Sequence, residues 1–99
     1  MLAYIEDHLT EEITVSNLAS IACLSVFHFT RAFAASIGAP PHSYVRERRL
    51  ERAKKLLKTG KLSLSEIALD CRFSSQSSFT RAFRRATGAT PANYKRAVR

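Results

Sequence analysis

The pentapeptide Phe-Thr-Arg-Ala-Phe occurs twice in this chain, at 29–33 and again at 79–83. The same offset of fifty pairs Gly38 with Gly88, Ala39 with Ala89, Pro41 with Pro91 and Tyr44 with Tyr94. Upstream the offset is forty-nine: Leu18-Ala19 matches Ile67-Ala68, and Leu24-Ser25 matches Phe73-Ser74. One residue has therefore entered the second copy, on this reading between Ser74 and Phe79. Self-similarity at a fixed period means one supersecondary unit used more than once. With 99 residues and two copies, the chain is restricted to a pair of small lobes.

Each copy reads as helix, short turn, helix. In the second, Ser63-Leu64-Ser65-Glu66 has the pattern of a capping box. It opens a helix running to about Cys71, with Arg72-Phe73-Ser74 as the turn. The next helix starts near Ser74 or Ser75 and stops at Gly88, a residue free to take the left-handed conformation at a helix end. Thr90-Pro91 then supplies the cap and first position of a last short helix. In the first copy Thr14 caps a helix to Ala22, Cys23-Leu24 is the turn, and a helix runs from Ser25 to Gly38. A helix over Leu2–Leu9 precedes everything. Between the copies a polar helix from Pro41 to Lys58 offers Tyr44, Val45, Leu50, Ala53, Leu56 and Leu57 as an apolar stripe, with a Glu51–Lys55 pair outside it. The expected fold class is all-α, with seven helices. Residues 1–40 form one helix-turn-helix subdomain, 41–60 a linker helix and 61–99 a second subdomain. Leu50, Ala53 and Leu57 are expected to hold the two subdomains in register.

On a wheel of about 100° per residue, Phe29, Ala32, Phe33, Ser36 and Ile37 share one face. Phe79, Ala82, Phe83 and Ala86 do the same in the second copy. These are read as core. The opposite faces carry Phe27, Thr30, Arg31 and Ala34, and then Ser77, Thr80, Arg81 and Arg84 with Gln76 and Arg85 at the edges. Neither face has an acid. An ordinary solvated face mixes both signs, whereas Arg, Gln, Thr and Ser without acids are the residues that read base edges in the major groove.

Charge points the same way. Sixteen Lys and Arg against eight Asp and Glu leave a net charge of +8. Fifteen of those sixteen bases lie in residues 46–99; residues 1–45 hold only Arg31 against four acids. Such a balance favours a polyanion, and nucleic acid first. A membrane surface is the poorer fit, because the basic helix has no Trp and its apolar stripe is needed between the lobes. The two cysteines are expected to be buried apolar residues, since neither has a partner at ligand spacing. His8, His28 and His42 are scattered, no Ser stands in a GxSxG context, and no Gly-rich phosphate loop is present. No enzymatic activity, cofactor or metal is expected. His28 flanks the second helix of its copy as a solvated residue or a phosphate contact. Arg49 fits either a structural ion pair or a DNA contact. The acidic start MLAYIEDHL does not look like an export signal, and a reducing cytoplasm is the expected location.

The stretch Ser65–Tyr94, SEIALDCRFSSQSSFTRAFRRATGATPANY, together with Tyr44-Val45-Arg46-Glu47-Arg48-Arg49-Leu50 and the following Ala53, Leu56 and Leu57, resembles the DNA-binding domain of the AraC/XylS family of bacterial transcription regulators. The resemblance covers essentially the whole chain. It implies two helix-turn-helix units that place recognition helices in successive major grooves, about one DNA turn apart. The base-reading positions it implies are Phe27, Thr30 and Arg31 in the first unit, and Gln76, Ser77, Thr80 and Arg81 in the second. Phosphate contacts are expected from Ser25, Ser75, Arg84, Arg85 and Lys95. Family members often carry bases just after the second phenylalanine of the first recognition helix; here Ala34 and Ala35 stand there. Double-stranded DNA is the expected partner and RNA polymerase a second candidate. The domain is expected to act as a monomer, with dimerisation left to a domain outside it. The alternative reading is a nonspecific RNA-binding or nucleoid protein.

Overall fold

Side-chain hydroxyls set most of the helix starts in the computed structural model, which describes residues 1–98. Thr14, Ser25, Ser63, Ser75 and Thr90 each accept a hydrogen bond from the backbone N–H three residues on. Each satisfies a donor that the first helical turn leaves without a partner. At Ser63 the Glu66 carboxylate also accepts from the Ser63 N–H at 3.1 Å, which completes the capping box. Seven helices follow among the described residues: α1 Leu2–Asp7, α2 Val15–Ile21, α3 Val26–Ile37, α4 Pro41–Thr59, α5 Leu64–Asp70, α6 Gln76–Thr87 and α7 Pro91–Ala97. The first is shorter than expected: it closes at His8, whose Nδ1 lies 2.6 Å from the Tyr4 carbonyl oxygen.

The two copies are built alike down to single bonds. Between α2 and α3 the Leu24 N–H donates to the Ala19 carbonyl at 2.9 Å, and Cys23 N–H donates to Ser20 at 3.0 Å. Between α5 and α6 the Phe73 N–H donates to Ala68 at 2.9 Å and Arg72 N–H to Leu69 at 3.1 Å. This paired bonding is the Schellman ending, which requires a left-handed residue in the middle. Cys23 (φ 57°) and Arg72 (φ 63°) take that role although neither is glycine. The axes of α2 and α3 turn by 86° across the break, close to the crossing of a helix-turn-helix. Gly38 and Gly88 end α3 and α6 at φ 89° and 82°.

The caps also locate the extra residue of the second copy. Ser25 and Ser75 do the same job, so Ser74 is the insertion, and it lies in the turn rather than in the helix after it. The offset of forty-nine pairs Ser25 with Ser74 because both follow an apolar residue. Hydrogen bonding decides for Ser75, whose oxygen reaches the Ser78 N–H at 3.0 Å.

The chain divides after Arg48 into two compact units, each with its own core. In the first, Ile5, Leu9, Leu18, Ala19, Phe29, Phe33 and Val45 are buried together. In the second, Leu50, Ala53, Leu57, Ile67, Ala68, Cys71, Phe79 and Phe83 are. The aromatic contacts recur: Phe29–Phe33 and Phe79–Phe83 both at 5.7 Å between ring centroids, Phe33–Tyr44 at 5.6 Å and Phe83–Tyr94 at 5.2 Å. Helix α4 thus gives Val45 to one core and Leu50, Ala53 and Leu57 to the other. Its Glu51 accepts from Lys54 Nζ at 2.7 Å, one residue short of the expected Lys55. Arg48 pairs with Glu6 in the first unit and Arg52 with Asp70 in the second. All three pairs are partly exposed, worth at most about 1 kcal/mol each.

Two expectations about burial need correcting. Cys71 is fully buried, but Cys23 is exposed, because the left-handed turn points it away from the helices. The core face of α3 is narrower than its wheel: Phe29 and Phe33 are buried, while Ala32, Ser36 and Ile37 are exposed. With Met1, Leu2, Ala22 and Leu24 they line an open apolar groove of about 240 Å³ in the first unit. In α6 the corresponding Ala86 is exposed as well.

Candidate nucleic-acid interface

Burying Phe29 and Phe33 fixes the rotation of α3, and burying Phe79 and Phe83 fixes that of α6. What each helix shows to solvent follows from the helical period. On α3 the exposed face carries Phe27 and Arg31, with Thr30 half-buried between them. Phe27 is the notable member, since an aromatic ring 63% exposed is expensive to leave in water. The Arg31 guanidinium lies 5.4 Å from the centre of that ring, near enough for a cation–π attraction. His28 meets the same ring edge-on at 5.6 Å.

On α6 Gln76, Ser77 and Arg81 are exposed and Thr80 is half-buried, the same placement as Thr30. Position 77 holds a hydroxyl where position 27 holds the ring. Arg84 and Arg85 are exposed in the last turn of α6, where the helix dipole also favours cations. The matching Ala34 and Ala35 offer no charge. Lys95 is half-buried on α7 and stands where Val45 stands in the first unit.

The serines placed at the phosphate positions are the caps themselves. Ser25 Oγ accepts from the His28 N–H at 3.1 Å and lies 2.7 Å from His28 Nδ1, so its hydroxyl is engaged inside its own helix end. Ser75 Oγ accepts from the Ser78 N–H at 3.0 Å. Both helix starts retain the positive end of the dipole, free of any acid in the first turn.

Arg49 is half-buried on α4. Burial, and next the Arg72 guanidinium, hold its pKa below the usual arginine value. Arg52 goes the other way, raised by its hydrogen bond to Asp70 against some burial. Sequence reasoning passed over Val26, which is 48% exposed at the first position of α3. The signal was present: counted back from the shared pentapeptide, Val26 is the partner of Gln76. Among the described residues no three of His, Cys, Asp and Glu gather as a metal site, and no single helix is long and apolar enough to cross a membrane.

Comparison with known proteins gives the same architecture a family. Residues 18–97 match a family described as a helix-turn-helix domain. The chain is 44% identical over 96 residues to the probable transcriptional regulator LumQ of Photobacterium leiognathi, covering 97% of this chain and 39% of that protein. It is 34% identical over 95 residues to the HTH-type transcriptional activator AarP of Providencia stuartii, covering 96% of this chain and 70% of the activator. Thus it spans most of one relative and about two fifths of the other. Among solved structures, the DNA-binding domain of AdpA, a global transcriptional factor in complex with a target DNA, superposes with a TM-score of 0.91 at 34% identity, over 97% of this chain and 86% of that one. An AraC-type regulator from Chromobacterium violaceum also gives 0.91, at 28% identity, over 98% and 87%. This chain belongs to the AraC/XylS-type helix-turn-helix family.

Proposed function

We propose that the chain is the sequence-reading DNA-binding module of a bacterial transcription regulator, acting by binding and not by catalysis. The observation that carries this reading is the duplicated surface: two equally capped helices, α3 and α6, each hold the two phenylalanines of the repeated pentapeptide in a core and turn an acid-free face with a half-buried Thr and an exposed Arg outward. Bases are specified by such side chains in the major groove, and phosphates by charge. Phe27, Thr30 and Arg31 read one half of the site, and Gln76, Ser77, Thr80 and Arg81 the other. Ser25, Ser75, Arg84, Arg85 and Lys95 meet the backbone. The similarity to a domain solved with its target DNA supports the reading.

One chain carries both reading helices, so the module binds as a monomer. It works where the bacterial chromosome lies, in the cytoplasm, and RNA polymerase is the second partner of a regulator of this kind. The competing idea, nonspecific nucleic-acid binding, has one feature in its favour, the exposed Phe27 ring. Single-strand readers stack bases on several exposed aromatics, and here Phe29, Phe33, Phe79 and Phe83 are all buried. Binding of a random duplex pool, with competing RNA, tests the choice. Enrichment of one two-part motif, with affinity at least about a thousandfold above random duplex, is the expected result. Equal affinity for random duplex and RNA would defeat it.

A further inference from the structure

The repeat makes a statement about the DNA. Thr30 and Thr80 are half-buried at the same register, and Arg31 and Arg81 are exposed at the next. Each pair is framed by equivalent buried phenylalanines, packed at the same 5.7 Å, and each helix is twelve residues long between a serine cap and a left-handed glycine. Identical side chains on identically set backbones present the same donors and acceptors. The helices differ on both sides of the shared pentapeptide: Val26-Phe27-His28 corresponds to Gln76-Ser77-Ser78 at the N-terminal end, and Ala34-Ala35-Ser36-Ile37 to Arg84-Arg85-Ala86-Thr87 at the other.

Resting on the DNA-reading function above, we infer that the two boxes of the target share a common base pair, read by Arg31 in one and Arg81 in the other, and diverge beside it where the helix N-terminal ends differ. The chemistry assigns the bases. An arginine in the major groove takes guanine O6 and N7. Phe27, an exposed ring, has no hydrogen bond to offer a base edge, and it suits a thymine methyl group. Gln76 and Ser77 are exposed and polar, and glutamine takes adenine through N6 and N7. Both boxes therefore hold a guanine at the arginine position. Next to it stands thymine in the box met by the first unit and adenine in the box met by the second.

The phenylalanine also bears on its own arginine, because the Arg31 guanidinium rests by the Phe27 ring at 5.4 Å. Ser77 beside Arg81 is the chain's own version of that site without a ring. Recoding the first helix with the residues of the second therefore leaves an arginine in a setting this protein already uses.

Selection of bound duplexes from a random pool, with the whole chain and its variants, tests the inference. The wild-type chain should enrich two boxes with one guanine in common. Val26→Gln with Phe27→Ser should turn the thymine preference of the first box into the adenine preference of the second, by about tenfold, and leave the shared guanine in place. Gln76→Val with Ser77→Phe should do the reverse in the other box. Arg31→Ala and Arg81→Ala should each erase the guanine preference of one box only. All these positions are at least partly open to solvent, and circular dichroism checks that each variant is folded. Two enriched boxes without a common base, or a recoded helix that keeps its thymine, would overturn the inference while leaving DNA reading intact. Enrichment of no motif at all would sink both.

Discussion

Cys23 and Cys71 both stand beside the turn of their unit, one register apart in the repeat, and the fold gives them opposite chemistry. Cys71 closes α5 with no exposed surface; burial first, and the Asp70 carboxylate second, push its thiol up to about 11. Cys23 occupies the left-handed turn position one residue further along and faces water. Only a thiolate is alkylated at useful rates. Brief treatment with iodoacetamide at mildly alkaline pH is expected to label Cys23 alone, with Cys71 modified only once urea has unfolded the chain. Mass spectrometry of the two peptides reads this directly, and equal labelling of both in the folded protein would contradict the burial of Cys71.

Elements show where a repeat is locally imperfect. Arg72 and Cys23 hold a left-handed backbone that costs a side-chain-bearing residue about 1–2 kcal/mol, part of which glycine returns through its greater freedom when unfolded. Arg72 carries a second penalty, since its charge opposes that of half-buried Arg49. Arg72→Gly is therefore expected to raise stability by about 0.5–1 kcal/mol in urea unfolding, and Cys23→Gly by less. A loss of stability in Arg72→Gly would mean that its side chain makes a compensating interaction. The start of α5 gives a pH test. The Ser63 backbone N–H, and next its hydroxyl, hold the Glu66 carboxyl below its ordinary value. A depressed folded value means that the contribution to stability is present above the unfolded value and lost as pH falls through the folded one. Glu66→Gln keeps a capping box that does not titrate. The stability gap between wild type and Glu66→Gln should shrink on acidification from near neutrality to the bottom of the carboxylate range, as read by urea midpoints at each pH.

For the molecule as a whole the dominant fact is how unevenly charge is spread. Arg31 is the single base on α3, whereas α6 carries Arg81, Arg84 and Arg85, none balanced by an acid on its own helix. Counterion release makes phosphate neutralisation visible as the slope of affinity against salt. Changing Arg84 and Arg85 to alanine is expected to weaken binding to every duplex alike and to flatten the log–log slope by about one for each phosphate no longer neutralised. Changing Phe27 and Thr30 should lower the ratio of specific to random affinity and barely move the slope. Titrations across a series of salt concentrations separate the two outcomes. An unchanged slope in the double arginine variant would assign these residues to the helix dipole alone.

How far the sequence reached can be traced through the same residues. The phenylalanine pairs, the caps at Thr14, Ser63 and Thr90, the start of a helix at Ser25, and the stops at Gly38 and Gly88 depend on spacing and on backbone chemistry within a few residues. All were legible in the order of the amino acids, as were seven helices and the outward placement of Arg31 and Arg81. Sequence did not decide between Ser74 and Ser75 as the second cap, because both carry the same hydroxyl and only one reaches the Ser78 N–H. Nor did it show that this face of α3 lines an open groove in which Ala32, Ser36 and Ile37 are exposed and only Phe29 and Phe33 are buried. A helical wheel states which residues share a face, but how much of that face is closed depends on the helices packed over it. The different fates of Cys23 and Cys71 have the same origin: hydrogen bonds and helical period are local and repeat with the sequence, whereas burial is a property of what surrounds a residue in space.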